Sequence, residues 1–411
     1  MTQLLPLRRI DRDQLINEGA DEHLFITPGA KKYFICYNAV NASLRRNSQS
    51  TSTFEMEAQM FASAPIDRAI VIAKQKIAKV IEKVLQSIDS TSITICYGSS
   101  VNGCSDNTSD LDLCWYLKKS QLAIRDRNFG REEIKTLLQT AHTKIKRLHP
   151  VDSCVFINAF VPIVKFCFVI NGLRIDVDLS LNNMIGVFNT LLLKFYASID
   201  KRFGQLARIL KRWGINCGVI NSMTMLNTYS VRLMIIHFLQ CGTYPAILPN
   251  LNALYPHIVN GRLQVSIVKK YIEGSLRFPK VPMRRVNKLS LTRLIFGFMA
   301  YWECFDYENY CVSLMMARRQ LKLHSEMSFF LEEVYNGENV ARNINGQIVT
   351  ILRNVFSRFL FPLFSSDYSF DNFINGRVLM FNGIPSHAKS VSYATPGYSY
   401  TVYNNGIGYY R

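Results

Sequence analysis

The pattern of hydrophobic and polar positions divides the chain into two regions. The first region has segments of both helical and strand periodicity, and the second has helical periodicity. Apolar residues recur at helical spacing from Ser63, a possible helix cap, to Val84. The other face of this helix is expected to be solvated and carries Lys74, Lys76, Lys79 and Lys83. Apolar runs of strand length follow at residues 93–97 and 111–117, and a second amphipathic helix is predicted over residues 131–148.

Three more strands are predicted over residues 151–160, 161–170 and 173–181. Asn171-Gly172, between the last two, is a strong signal for a hairpin turn. The last strand alternates, which places Asp176 and Asp178 on one face. Helices are then predicted near residues 187–198, 200–214, 227–240, 263–275, 289–303 and 339–360. The pattern therefore indicates an α+β chain in which a sheet region precedes a helical region.

The segment around residues 97–117 combines a Gly-Ser pair with a D-x-D motif. Asp110 and Asp112 share one strand face, and two carboxylates on one face repel each other unless a cation lies between them. Such oxygens suit Mg²⁺ bound to a nucleotide's phosphates. Gly98 allows close backbone approach and Ser99 adds hydrogen-bond donors. The alternative is a surface strand with solvated aspartates, but the Gly-Ser pair at this spacing favours the metal site.

Composition bears on function mainly through the formal charge of +18, which fits a polyanionic partner such as nucleic acid. Charge alone leaves open a basic surface that serves solubility or membrane attraction. Ten cysteines without C-x-x-C pairs argue against zinc and disulfides, and for a reducing compartment. No apolar run of 18 residues and no signal peptide are evident, so no membrane association is expected.

The Gly-Ser pair, the D-x-D motif and a third aspartate on a later strand resemble the nucleotidyltransferase superfamily of DNA polymerase β. Further segments are similar to the cytoplasmic poly(A) polymerases and terminal uridylyltransferases over residues 60–360. These segments are DLSLNN from Asp178, GVFNT from Gly186, LLLKFY ending at Tyr196, DKR from Asp200, KRW from Lys211, IN from Ile220, NTY from Asn227, residues 245–251, and Glu332 to Arg342.

The resemblance implies an α+β fold with two facing domains and the active site in the cleft between them. A polymerase β-like sheet domain is expected over residues 60–188. A helical central domain is expected over residues 189–364, with residues 1–59 partly irregular and wrapping around it. Residues 365–411 are rich in Ser, Asn, Gly and Tyr without periodicity, and are expected to be a flexible tail.

The resemblance also implies roles for individual residues. Asp110, Asp112 and Asp178 would be the catalytic carboxylates that hold two Mg²⁺ or Mn²⁺ ions. Gly98 and Ser99 would bind phosphate oxygens of the nucleotide.

Further residues would contact the nucleotide. Lys211 matches a triphosphate-binding lysine. Asn189 and Thr190 match positions near the ribose, and Thr228 and Tyr229 match a pair whose tyrosine stacks on the base. Asn336 matches the base-reading position.

The expected substrate is ATP, because Glu338 stands where uridylyl-specific members carry a histidine. The chain is therefore predicted to add AMP to RNA 3′ ends. Addition of UMP or of mixed nucleotides is the first alternative, and an inactive scaffold that binds partner proteins is the second. Nucleotidyl transfer to a small molecule fits the core motif, but it does not fit the basic charge or the helical second half.

No appended RNA-binding module is evident in the sequence. A separate RNA-binding protein is therefore expected to bring the RNA. The expected location is the cytoplasm, with RNA granules and the nucleus as open alternatives.

Overall fold

A computed structural model describes residues 28–117, 129–282, 286–322, 327–360, 368–377, 391–395, 398–403 and 406–410. Contacts between residues divide the chain into two units. The sheet unit comprises Pro65–Ile199 and Tyr255–Lys280. The helical unit comprises the described parts of Met1–Ala64, Asp200–Leu254 and Val281–Arg411.

The elements of the sheet unit and of the N-terminal segment are α1 (Pro28–Arg46), α2 (Ser48–Ser63), α3 (Arg68–Gln86), β1 (Ile93–Tyr97), β2 (Leu111–Tyr116), α4 (Phe129–Ile145), β3 (Val151–Ile157), β4 (Ile163–Ile170), β5 (Leu173–Leu181) and α5 (Met184–Ile199). The following helices are α6 (Lys201–Asn216), α7 (Thr228–Cys241), α8 (Leu251–Leu254), α9 (Pro256–Val259), α10 (Val265–Glu273) and α11 (Leu291–Glu303). The C-terminal elements are β6 (Tyr310–Ser313), β7 (Arg318–Leu321), α12 (Gly346–Leu360), α13 (Phe370–Ile374), β8 (Val391–Thr395), β9 (Tyr398–Tyr403) and β10 (Gly406–Tyr410).

The sheet of the first unit has five strands in the order β1-β2-β5-β4-β3. Strands β2 and β5 run parallel, and the other neighbours run antiparallel. The turn between β4 and β5 has positive φ at both Asn171 (51°) and Gly172 (77°). Two positive φ values match the twist of the flanking strands. The predicted hairpin is therefore confirmed.

Helices α3 and α4 supply the core of the sheet unit. Alternate strand residues point toward these helices, as the period of two requires. The buried residues are Ala73, Ile77, Ile81 and Leu85 from α3, Leu138, Ala141 and Ile145 from α4, and Leu111, Leu113, Trp115, Val164, Phe166, Phe168, Ile175, Val177 and Leu179 from the strands. Each large side chain buried in this way contributes about 1.5–3 kcal/mol. The opposite face of the sheet carries both polar residues, such as Lys165 and Asp178, and apolar residues, such as Ile95 and Val155.

Helix α3 begins later than the sequence indicated. Its N-cap is Asp67, whose side chain accepts a hydrogen bond from the Ala69 N–H, whereas Ser63 is the last residue of α2. The predicted cap is therefore wrong. The physical reason is Pro65, because the residue before a proline is disfavoured in helical conformation, and Ala64 has an extended ψ of 127°.

The division between the two units differs from the predicted domain boundaries in the region of α5. The predicted boundary at residues 188/189 falls inside this helix, which belongs entirely to the sheet unit. Most of α5 is buried, and it packs against β1 and α10. Phe195 on α5 stacks on Phe278 with ring centroids 4.4 Å apart. This packing explains why residues 255–280 join the sheet unit.

The two ends of the chain contain more regular structure than the sequence indicated. Helices α1 and α2 occupy residues expected to be partly irregular, and both pack against α11 in the helical unit. In the predicted flexible tail, α13 packs against α6, and β8, β9 and β10 form an antiparallel sheet. Tyr, Val and Thr residues, which favour strands, recur in these segments. The β6–β7 hairpin was not foreseen either.

A search of the helices in the described ranges finds none that is both long enough and apolar enough to cross a bilayer.

Within the helical unit, Glu55 joins α2 to the start of α11. Its carboxylate accepts hydrogen bonds from the N–H groups of Leu291 (3.1 Å) and Thr292 (2.7 Å), where the helix dipole favours negative charge. Burial on its own would raise the pKa of Glu55, but hydrogen bonds from Gln59 and Thr292 outweigh burial and lower the pKa. Glu55 is therefore expected to stabilise the fold only while it is ionised.

We predict that Glu55→Gln lowers the free energy of unfolding by about 1–2 kcal/mol at pH 7, because a charge-assisted acceptor is lost. Since the folded pKa is lowered, this contribution is present above the unfolded pKa near 4.5 and is lost as the pH falls through the folded pKa. Urea denaturation at pH 7 and pH 3 should therefore give a difference between the two proteins that disappears in acid. A difference that stays constant with pH would contradict this role.

Candidate active site

The outer face of the five-stranded sheet, opposite the core, carries the predicted carboxylates. Asp112 on β2 lies directly opposite Asp178 on β5 in the parallel strand pair. Asp110 comes immediately before β2 and two residues before Asp112. Alternate residues of an extended chain share a face. The structure thus brings all three aspartates to one surface, on neighbouring positions of two strands.

A lysine that sequence analysis overlooked lies among these carboxylates. Lys165 on β4 is directly opposite Asp178, and its Nζ is 3.2 Å from Asp178 Oδ1 and 4.0 Å from Asp110 Oδ2. Burial would lower the pKa of Lys165, but Asp178 and then Asp110 together outweigh it and raise the pKa. The ammonium group therefore supplies the cation that carboxylates on one face require.

The hairpin turn could have revealed Lys165. A two-residue turn fixes the register of its two strands. Lys165 lies six residues before Asn171, and Asp178 lies six residues after Gly172. If Asn171 and Gly172 form a two-residue turn, the two residues must therefore lie directly opposite each other.

Gly98, at the end of β1, packs its backbone directly against the Asp112 carboxylate. It has a positive φ of 74°, and a Cβ added there would lie 1.9 Å from Asp112 Oδ2. No side chain fits at that distance. Glycine is therefore required at this position for two independent reasons. The predicted approach of Gly98 to a nucleotide phosphate stays a prediction.

Thr190 on α5 holds the Gly98 backbone in this position. Its hydroxyl accepts a hydrogen bond from the Gly98 N–H (2.8 Å) and donates one to the Gly186 carbonyl (2.8 Å). Its neighbour Asn189 differs, because its buried Oδ1 has no hydrogen-bond partner among the described residues. Thr190 thus makes internal contacts, whereas Asn189 offers an unused acceptor. The predicted ribose contacts of both residues stay predictions.

The loop between Gly98 and Asp110 is tied to α3 by Lys74. The Lys74 ammonium donates to the Ser100 hydroxyl (2.8 Å) and to the Ser109 carbonyl, and the Ser100 hydroxyl donates to the Asp110 carbonyl (2.6 Å). The expectation that Lys74 is simply solvated is therefore wrong. The Ser99 hydroxyl makes no hydrogen bond within the described part of the chain, so it remains available to a ligand.

The remaining predicted nucleotide contacts belong to the helical unit. Lys211 lies half-buried on α6, and Thr228 and Tyr229 open α7. The side chain of Asn227 caps α7 by accepting a hydrogen bond from the Ser230 N–H (2.7 Å). The cap fixes the first turn of α7, from which the Tyr229 ring projects.

Glu333, a buried residue to which the sequence assigned no role, connects Tyr229 with Asn336. One carboxylate oxygen accepts from the Tyr229 hydroxyl (3.2 Å), and the other accepts from the N–H groups of Tyr335 (2.7 Å) and Asn336 (2.9 Å). Burial, and then the Glu333 charge, raise the pKa of Tyr229 well above its ordinary value. Asn336 is exposed, and its Oδ1 accepts from the Glu338 N–H (3.0 Å). The structure therefore brings Tyr229 and Asn336 to one carboxylate.

The carboxylate surface of the sheet unit fits a divalent cation by its chemistry. Carboxylate oxygens on adjacent strands are the hard donors that Mg²⁺ prefers, and the Lys165 ammonium already acts as a cation beside two of them. In their present positions, no three His, Cys, Asp or Glu side chains of the described residues are grouped closely enough to hold a metal ion. Binding of a divalent ion by Asp110, Asp112 and Asp178 would therefore require their side chains to move closer.

We predict that Gly98→Ala destabilises the protein more than Gly172→Ala. Both glycines have positive φ, but nothing lies within 4 Å of a Cβ at Gly172, whereas one at Gly98 meets the Asp112 carboxylate. Urea denaturation should give a loss of about 1 kcal/mol for Gly172→Ala and of at least about 2 kcal/mol for Gly98→Ala.

Combining Gly98→Ala with Asp112→Ala removes the carboxylate that the new methyl group would meet. The double variant should therefore lose less stability than the sum of the two single variants. Additive losses would show that the predicted collision does not occur.

Known proteins resemble the part of the chain that carries this surface. The family model of the central palm domain of the mitochondrial-like poly(A) RNA polymerases matches residues 55–198, which include all three aspartates. Poly(A) RNA polymerase GLD2-B of Xenopus laevis is 31% identical over 270 residues, or 64% of this chain and 50% of the relative. Human poly(A) RNA polymerase GLD2 is 30% identical over 60% of this chain and 51% of the relative. The chain thus spans about half the length of these relatives.

Solved structures share the fold. The GLD-2/RNP-8 complex gives a TM-score of 0.67 at 22% identity and covers 79% of this chain and 98% of the compared chain. The Cid1 poly(U) polymerase gives a TM-score of 0.63 at 20% identity, with 79% and 98% covered. The α+β fold class is thereby confirmed. Together, these findings show that residues 55–198 match the palm-domain family of the poly(A) RNA polymerases, and that the chain is similar to curated poly(A) RNA polymerases over about 60% of its length.

Proposed function

We propose that the protein transfers AMP from ATP to the 3′ end of RNA without a template. The observation that carries this proposal is the arrangement of Asp110, Asp112 and Asp178 on one sheet face, with the Gly98 backbone held against Asp112. An exposed strand would have no need of a glycine packed under a carboxylate. The names of the relatives, poly(A) RNA polymerases, support ATP as the substrate.

In the proposed reaction, the RNA 3′-oxygen attacks the α-phosphorus of ATP. The 3′-hydroxyl gives up its proton, which passes to solvent, and its oxygen bonds to the α-phosphorus. The bond from the α-phosphorus to the oxygen that bridges to the β-phosphorus breaks, and that oxygen leaves with pyrophosphate. Two Mg²⁺ or Mn²⁺ ions held by the three aspartates would stabilise the attacking and leaving oxygens. Asp178 would orient the 3′-hydroxyl, and the Gly98–Thr190 hydrogen bond would keep Asp112 in place.

The proposed nucleotide contacts use three polar groups and one aromatic ring. The Ser99 hydroxyl and the Lys211 ammonium would bind the triphosphate. The unpartnered Oδ1 of Asn189 would accept a hydrogen bond from a ribose hydroxyl, which would satisfy a buried polar atom. Thr228 would lie beside Tyr229, whose ring would stack on the base while Glu333 holds its hydroxyl.

We propose that the loop around Asn336 selects adenine over the other bases. Asn336 would read the base edge, and Glu338 stands where uridylyl-specific members have a histidine. UMP or mixed-nucleotide addition is the second candidate, because Cid1, named a poly(U) polymerase, shares the fold. One solved Cid1 variant, in which asparagine replaces histidine, is bound to MgATP. That structure supports the idea that uracil preference weakens when the imidazole is absent.

RNA would be held weakly by the basic surface, and a separate RNA-binding protein would supply target choice. The formal charge of +18 supports salt-sensitive binding to RNA. Solved structures of relatives contain GLD-2 in complex with RNP-8 and with GLD-3, which supports the idea of a partner protein. We propose that the protein works in the cytoplasm.

Primer extension tests the proposed activity. Full-length protein, a short labelled RNA and Mg²⁺ would be incubated with each nucleoside triphosphate separately, and a ladder is expected with ATP. Asp112→Asn should reduce extension at least about 100-fold, because a neutral amide replaces a metal-binding carboxylate. Asp176→Asn, an exposed carboxylate of the same strand as Asp178, is the matched control and should retain activity.

Ladders with UTP or with several nucleotides would contradict the assignment of ATP as the substrate, but they would agree with nucleotidyl transfer to RNA. A folded protein that extends RNA with no nucleotide, even with a candidate RNA-binding partner, would favour a scaffold. RNA extension by Asp112→Asn at the wild-type rate would contradict the role of Asp112 as a metal-binding residue.

Tyr229 tests the proposed base stacking. Tyr229→Ala should raise the KM for ATP by about 5- to 100-fold, which corresponds to the loss of one base–aromatic stack. Tyr229→Phe keeps the ring but not the hydroxyl bonded to Glu333, so it should change the KM much less. Steady-state extension kinetics would separate the two variants. Equal effects of Ala and Phe would show that the hydroxyl, rather than the ring, matters.

A further inference from the structure

The register of the sheet places residues of four neighbouring strands side by side on its outer face. Asp112 on β2 is opposite Asp178 on β5, Asp178 is opposite Lys165 on β4, and Lys165 is opposite Val155 on β3. Lys165 is thus the residue that borders the carboxylates on one side. Its other neighbour, Val155, is an exposed apolar residue that offers the ammonium no hydrogen bond.

The Lys165 ammonium interacts with carboxylates from two different strands. Its Nζ lies 3.2 Å from Asp178 Oδ1 and 4.0 Å from Asp110 Oδ2. Both oxygens are therefore within ion-pair distance of one cation. Asp178 is the less exposed of the two aspartates, with 23% of its side-chain area accessible against 47% for Asp110. Lys165 itself is 44% exposed, so its side chain has room to move toward solvent.

An ammonium group and a divalent ion compete for the same carboxylate oxygens. A positive charge a few ångströms from a divalent ion repels it, and the repulsion is substantial even near solvent. Lysine suits an exchangeable role, because it is a compact charge on a flexible stem, unlike the planar, bidentate arginine. Without any cation, the carboxylates would repel one another.

We propose that Lys165 is a positioning residue that serves as a built-in counter-cation for Asp110 and Asp178. Its ammonium holds these carboxylates in place before a divalent ion arrives, and it withdraws when the ion binds. The inference rests on the proposed function, because it requires that the aspartates bind metal. It adds that metal binding is an exchange of one cation for another.

The first test is Mn²⁺ binding to the full chain, measured by electron paramagnetic resonance without nucleotide or RNA. Lys165→Met, which keeps the length of the stem, is expected to bind Mn²⁺ about tenfold more tightly than wild type, because the competing charge is gone. Arg174→Met is the matched control. It removes one positive charge from the same strand face as Asp178, where Arg174 pairs with Asp152, and it should leave Mn²⁺ affinity unchanged.

The second test is thermal unfolding in the presence of a chelator. Lys165→Met should have a lower Tm than wild type, because Asp110 and Asp178 then lose their ion pairs with Lys165. Mn²⁺ should raise its Tm by more than it raises that of wild type. Adding Asp178→Asn to Lys165→Met removes one of the repelling charges and should restore much of the metal-free Tm. The double variant also provides a folded protein if Lys165→Met alone unfolds.

The outcomes separate this inference from the proposed function. Equal or weaker Mn²⁺ binding by Lys165→Met, with wild type binding normally, overturns the counter-cation role alone. Mn²⁺ binding with the predicted exchange, but without RNA extension by the wild type, overturns the proposed activity alone. If neither wild type nor Lys165→Met binds Mn²⁺, the metal site and the exchange both fail.

Discussion

Repulsion between carboxylates on one sheet face is the constraint on which the sheet unit depends. Asp112 and Asp178 face each other across a parallel strand pair, and Asp110 precedes them on the same side. Such charges can be kept close only where cations balance them. Lys165 provides that balance from the adjacent strand. The apolar core on the opposite face fixes the strands, and so it fixes how closely these charges approach one another.

The loop after β1 shows how the rest of the unit serves the carboxylates. Gly98 can pack against Asp112 only because it has no side chain, and its N–H is held by the Thr190 hydroxyl of α5. Lys74 donates to Ser100 near the start of the loop and to the Ser109 carbonyl at its far end. The position of Asp112 therefore depends on two helices that are distant from it in sequence.

The helical unit uses a buried charge in a comparable way. Glu333 receives the Tyr229 hydroxyl and the N–H groups of Tyr335 and Asn336, so one carboxylate fixes both an aromatic ring and the adjoining loop. A buried carboxylate is stable only when such donors surround it. If Tyr229 and Asn336 contact the base, as we propose, Glu333 sets their mutual geometry without touching the nucleotide.

The sequence by itself determined the types of the strands and helices from β1 to α7, the shared face of Asp110 and Asp112, and the register of the β4–β5 hairpin. These properties follow from local periodicity and from the turn at residues 171–172. Only the tertiary structure decided that α5 belongs to the sheet unit, that Thr190 holds Gly98, and that Glu333 joins Tyr229 to Asn336. These contacts join residues far apart in the chain, and such pairing depends on packing, which local patterns do not encode.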